Sequence, residues 1–246
     1  MKVKSKATQG KRNSSSRSVA TIVATRSLKS ESKMVPGSKP SLAKKQTYKS
    51  PKVSVVIGTR NDGLFIKRCI DALRAQSLTN FECVLIDDAS SDSAPEIMCA
   101  IAKADARFQV HRCDRNIGIS RARNLGVQKA RGEYVFFTDG DCEPHKDWIA
   151  EGVKVLSSGA NFAEGRVTYV RQGFKPLFSD RVVENESGGL YLAANLICRR
   201  SAFLNIQFDP EFDGQEDREW AMRVKQLPGE LPVLAERALV FHQRKR

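Results

Sequence analysis

Four short apolar runs, at residues 53–58, 81–86, 108–111 and 134–138, alternate with longer stretches of helical character at 64–75, 94–104 and 116–130. The runs are rich in β-branched and aromatic residues and are bounded by Gly, Pro, Asp or Ser, which predicts strands. A β-α-β-α-β-α-β order leaves few topologies, because parallel strands need a crossover and that crossover is right-handed. The strands are apolar nearly throughout, as expected when helices cover both faces of a parallel sheet. The expected fold class is therefore α/β, with a single doubly wound, mostly parallel sheet flanked by helices.

In an open α/β sheet, ligands bind beyond the C-terminal ends of the strands. Three loops fall there: 59–63, 87–92 and 139–141. The last is Asp139-Gly140-Asp141, two carboxylates on a turn that glycine permits. Such a pair can share a hard divalent cation with the oxygens of a diphosphate. A bare Asp-x-Asp is more often an acidic surface turn. Asp92 with Glu96 suffices to open the second helix, leaving Asp87 and Asp88 as surplus acids. Asp88 could accept from the imide N–H of a uracil or from ribose hydroxyls. Arg121 and Arg123, on the third helix, could meet a diphosphate or orient the acids. A solvated basic face is the ordinary reading of such a pair.

Beyond Trp148 the pattern loosens. A helix is expected at 147–156, a strand at 161–170 and a mobile loop at 171–188. An apolar stretch follows at 190–198, then a turn at 208–212. Trp220, Val224 and Leu227 at i, i+4 and i+7 predict a helix over 215–227. A last strand, 233–241, runs into His242.

Charge divides the chain. It has 246 residues and a formal net charge of +13, yet residues 1–52 hold 14 Lys and Arg against the single acid Glu31. The remaining residues are balanced at 27 of each sign. A segment so basic, Ser-rich and poor in large apolar residues is expected to be disordered. Its candidate partners are an anionic membrane surface or nucleic acid, and its composition also resembles an organelle transit peptide. Residues 53–246 are enough for one domain with a proper core. The six cysteines form no C-x-x-C pair or zinc spacing, which suits reduced thiols in the cytoplasm. No apolar run of 18 residues and no secretory leader is evident. The expected location is cytoplasmic, with peripheral membrane contact through the tail.

In order and spacing these motifs resemble the glycosyltransferase family 2 domain, an inverting GT-A fold, over essentially all of 53–242. The matching residues include Asn61, Ile86-Asp87-Asp88-Ala89-Ser90-Ser91-Asp92, Asn116-x-Gly118, Ala122-Arg123-Asn124-x-Gly126 and Gly132-Glu133-Tyr134. Asp139-Gly140-Asp141-Cys142-x-Pro144, Trp148, Phe208-Asp209-Pro210-x-Phe212, Gln215-Glu216-Asp217 and Arg223 complete the set.

The resemblance implies a nucleotide-sugar donor, of the UDP type, held with Mn2+ or Mg2+. By it Thr59, Asn61, Asp88, Arg121 and Asp139 would bind the nucleotide. Asp139 and Asp141 would hold the metal, joined by His242. Asp217, beside Glu216, would be the general base for an acceptor hydroxyl on a glycan, a lipid-linked sugar or a protein. Arg60 replaces the aromatic residue common before the first-loop Asn. No specific nucleic acid is implied. The competing class is a non-catalytic nucleotide- or RNA-binding protein using the basic tail. A sugar-1-phosphate nucleotidyltransferase would open on a Gly-rich, Arg-containing loop, whereas residues 59–63 contain one Gly.

Overall fold

In the computed structural model, residues 50–170, 184–230 and 232–243 are described. The basic tail expected over 1–52 therefore lies almost wholly outside the described residues, as does most of the loop expected at 171–188. Lys52, counted above with the tail, is anchored: its N–H donates to Asn80 O at 3.1 Å and its ammonium to Glu133 at 2.6 Å.

Strands β1 (Val53–Thr59), β2 (Phe81–Asp87), β3 (Phe108–Arg112) and β4 (Tyr134–Phe137) stand where the apolar runs predict them. All are mutually parallel, in the order β3-β2-β1-β4. Helix α1 (Ile66–Arg74) buries Ile66, Cys69, Ile70 and Leu73, one stripe at helical spacing. It starts later than the sequence pattern suggests: Leu64, taken as an apolar helix position, lies before it and is 86% exposed. Helix α2 (Ala94–Ala104) opens with Pro95 in its first turn and the Asp92 carboxylate on the Ala94 N–H at 3.0 Å. Helix α3 (Ile119–Lys129) packs on β1 closely enough that a Cβ on Gly126 would strike Val56.

The second half alters the sheet. A short strand β5 (Cys142–Pro144), unmarked in the sequence, follows β4 at once. Helix α4 (Trp148–Ser157) leads to β6 (Phe162–Tyr169). The apolar stretch near 190–198 resolves into a 3-10 turn, Ala193–Asn195, and strand β7 (Leu196–Arg199). Helices α5 (Arg200–Asn205) and α6 (Glu216–Lys225) and strand β8 (Val233–His242) complete the fold. The eight-stranded sheet runs β3-β2-β1-β4-β7-β6-β8-β5. β7 is antiparallel to β4 and β6, and β5 is antiparallel to β8. The sheet is thus parallel on one side and mixed on the other, with one core on each face.

Two buried polar side chains hold this mixed half. Asn195 accepts from the Trp148 indole at 2.8 Å and donates to Arg166 O and Ala238 O, each at 2.8 Å. Glu164 accepts from the Asn185 amide at 2.8 Å and from the N–H groups of Gly189 and Tyr191 at 2.5 and 2.9 Å. These bonds satisfy groups that would otherwise be costly to bury.

Candidate active site

Because β1, β2 and β4 are parallel, their following loops emerge at one edge. Thr59 pairs in register with Asp87 across β1 and β2. Asn61 takes a left-handed backbone, φ 58°, and its side-chain oxygen accepts from the Ser91 N–H at 2.8 Å. Its own N–H donates to Ser90 Oγ at 3.0 Å, so the first two loops are stitched together. Asp87 is fully buried and accepts from the Ser90 N–H at 3.0 Å.

Asp88 Oδ1 accepts from the Ile117 N–H at 2.6 Å and Oδ2 from the Gly118 N–H at 3.0 Å. Asp213 reaches the same helix end from far along the chain, accepting from the Ser120 N–H at 3.2 Å. Two carboxylates thus meet the N–H groups at the start of α3, where the helix dipole favours negative charge.

The turn after β4 carries Asp139 and Asp141. Gly140 fits between them under the side-chain pair Thr59 Oγ–Asp62 Oδ2, itself 2.6 Å long. A Cβ on Gly140 would lie 2.7 Å from Asp62 Oδ2 and 2.8 Å from Thr59 Oγ1. β5 then pairs with β8 so that Cys142 stands opposite His242. That pairing brings His242 Nε2 to 3.7 Å from Asp141 Oδ1. Asp139, Asp141, Cys142 and His242 each offer a ligand atom within 4.8 Å of the others. Burial pushes the Cys142 thiol well up, and the neighbouring carboxylates of Asp139 and Asp141 add to this. The cluster is left with two hard oxygen donors and an imidazole, a set that fits a manganese- or magnesium-like divalent ion.

Arg123 is the residue that sequence reading undervalued. It is 5% exposed and donates to Asp139 Oδ1 at 2.5 Å and to Glu216 Oε1 at the start of α6. Burial alone would push its guanidinium down, but Asp139 and Glu216 hold it above its ordinary value. Arg121, expected beside the nucleotide, lies on the exposed side of α3, 3.9 Å from Glu211. The two arginines are two apart, so α3 turns them to different faces. That periodicity was the available signal, because Arg123 shares the buried side of α3 with Ala122, Gly126 and Val127. Glu216 is buried against Arg123, while Asp217 beside it is only partly buried. Asp217 Oδ2 accepts from the Ala193 N–H at 3.4 Å and Oδ1 from the Arg218 N–H at 2.8 Å.

The architecture is that of the GT-A glycosyltransferases. Among solved structures, TarS residues 1–349 of S. aureus in complex with UDP aligns with a TM-score of 0.64 at 22% identity, over 78% of this chain and 60% of that one. The mannosyltransferase PcManGT of Pyrobaculum calidifontis, in complex with GDP-Man and Mn2+, aligns with a TM-score of 0.61 at 19% identity, over 79% and 57%.

The chain belongs to glycosyl transferase family 2, whose family model matches residues 54–209. A curated relative, the putative glycosyltransferase EpsH of Bacillus subtilis, is 37% identical over 100 residues, 41% of this chain and 27% of EpsH. The matched region is thus about a quarter of that relative. Among the described residues, no helix is long and apolar enough to cross a membrane.

Proposed function

We propose that this chain transfers a sugar from a nucleoside-diphosphate donor, of the UDP type, to an acceptor hydroxyl with inversion at the anomeric carbon. The observation that carries the reading is the convergence of Asp139, Asp141 and His242 at the strand ends of a family 2 fold, with Asp217 tied in through α6. The UDP complex of TarS and the Mn2+ complex of PcManGT support the donor type and the metal.

Asp139, Asp141 and His242 would hold a divalent ion, manganese or magnesium, which when bound supplies positive charge for the departing diphosphate oxygens. Thr59, Asn61 and Asp88 shape the nucleotide end of the crevice. Asp88 keeps lone pairs for a base N–H beyond the two it gives to α3. Arg123 fixes the Asp139 carboxylate and, through Glu216, the start of α6. Asp217 is the general base: the acceptor oxygen bonds to the anomeric carbon as the bond to the diphosphate oxygen breaks, and the hydroxyl proton passes to Asp217. A single displacement needs one base, so Glu216 is free to serve Arg123.

The test is a thermal-shift titration of UDP with manganese or with EDTA. UDP should raise the melting temperature with manganese, and Asp141→Asn should remove most of that shift. His242→Ala should have a smaller effect. An equal shift in EDTA would exclude the metal-dependent scheme.

A further inference from the structure

Helix α6 has two faces of different character. Trp220 and Val224 are buried in the core. Arg218, Met222 and Lys225, at i, i+4 and i+7, line the outer face. That face forms one wall of a groove of about 390 Å³, whose other side includes Leu190, Tyr191 and Phe212. Leu190, Phe212 and Met222 are 51%, 47% and 60% exposed, a cluster of large apolar side chains at one place on the surface.

The opposing wall has an unusual backbone tied down by side-chain hydrogen bonds. Gly188 and Gly189 both have positive φ, and so does Tyr191, at 53°, a conformation that costs a bulky residue energy. Glu164 enforces it from below by accepting from the Gly189 and Tyr191 N–H groups. Strain of this kind persists where the surroundings over-determine it, and it concentrates at ligand clamps. Two residues beyond Tyr191, the Ala193 N–H reaches the Asp217 carboxylate at 3.4 Å. The groove therefore begins beside the residue read above as the base.

Its charge is equally specific. Glu219, an acid on the same helix, is taken by Arg223 in a two-pronged pair. Lys225 Nζ lies over the Tyr191 ring, 4.4 Å from its centroid, and the Arg218 guanidinium has no ion pair among the described residues. Among the described residues, two cations without acidic partners border three exposed apolar side chains. A second copy of this chain seated on the groove would bring like charges together, which opposes self-association. An amphiphile with an anionic head matches both features.

We propose that this groove binds the lipid-phosphate portion of the acceptor: its alkyl chain lies along Leu190, Phe212 and Met222, its phosphate meets Arg218 and Lys225, and its hydroxyl-bearing sugar extends to Asp217. The assignment deepens the glycosyl-transfer reading and rests on it.

The experiment measures binding of dodecyl phosphate, below its micelle concentration, to the full chain by calorimetry. Inorganic phosphate and dodecyl maltoside separate the charged head from the alkyl chain. Dodecyl phosphate should bind at least about tenfold more tightly than either. Met222→Asp and the double variant Arg218→Gln/Lys225→Gln, all at exposed positions, should each lose about that factor while keeping the wild-type melting temperature. Equal binding of dodecyl maltoside, or unchanged affinity in both variants, overturns the proposal. So does a dimer in sedimentation that Met222→Asp dissociates, because a second copy would then own the groove. UDP titration of the same wild-type sample keeps the two readings apart: failure there removes the donor assignment, whereas failure with dodecyl phosphate removes the groove alone.

Discussion

Cys142 and His242 face each other across the antiparallel β5–β8 pair, and this pairing sets the imidazole beside Asp141. The cluster of Asp139, Asp141, Cys142 and His242 proposed to hold the metal is therefore assembled by a three-residue strand. The stability of the site and its chemistry should be separable by substitutions that touch different parts of this arrangement.

Arg123 supplies the first case. It is the shared cation between Asp139 and Glu216, and Glu216 is buried with it. Arg123→Met should leave two acids facing one another without a counter-ion. Because Asp139 is partly open to solvent, the expected loss lies toward the lower end for a broken buried pair, about 3 kcal/mol in urea unfolding. Wild-type stability in that variant would show that the pair contributes little.

Gly140 tests the turn itself. In Gly140→Ala the new Cβ would meet Asp62 Oδ2 and Thr59 Oγ1 at under 3 Å, so the Thr59–Asp62 pair must shift or the turn must open. Manganese-dependent UDP binding should weaken at least about tenfold, with a fall in melting temperature. Unaltered affinity would mean that the turn tolerates displacement.

Asp217→Asn separates proton transfer from local hydrogen bonding. Asp217 lies in the first turn of α6, after the N-cap Gln215, and asparagine keeps a side-chain oxygen for the Ala193 and Arg218 N–H groups. The melting temperature should therefore fall only slightly and UDP affinity should be retained. Sugar transfer should fall by at least about a hundredfold. Near-normal turnover would remove Asp217 from the mechanism.

Acid stability should report Glu82, far from the crevice. Burial raises its pKa, but the Ser54 hydroxyl and the N–H groups of Arg131 outweigh this and leave it below the ordinary 4.5. A depressed folded value means that the unfolded chain takes up the proton first as pH falls. The stabilisation is present above the ordinary glutamate range and disappears as pH drops through the folded value. Glu82→Gln should therefore melt lower than wild type at pH 7, and the gap should narrow on acidification below about 4.5. A gap that stays constant with pH would assign the effect to hydrogen bonding alone.

The parallel half was legible because its signals are local. A buried strand is a short apolar run, and a helix repeats its apolar residues every three or four positions. β1 to β4 and α2 emerged accordingly, with boundaries within a residue or so. β5 and α5 did not. Cys142-Glu143-Pro144 is too short to show an alternation, and the strand exists because β8 offers it an edge. Leu190 to Cys198 is apolar apart from Asn195, and the bonds of that side chain to Trp148, Arg166 and Ala238 fix the place where turn becomes strand.

The site divides along the same line. Sequence alone determined which acids exist and that Asp88, Asp139 and Asp141 follow strands, since strand order and chain direction fix the edge at which those loops emerge. Tertiary structure alone decided that Arg123 rather than Arg121 joins the acids and that Glu216 turns inward while Asp217 does not. It also brought His242 to Asp141 by strand pairing. These are contacts between segments far apart in the chain: helical periodicity marks the side of α3 that is buried, but no local pattern encodes the partner it meets. Packing selects among side chains that the sequence presents as equivalent.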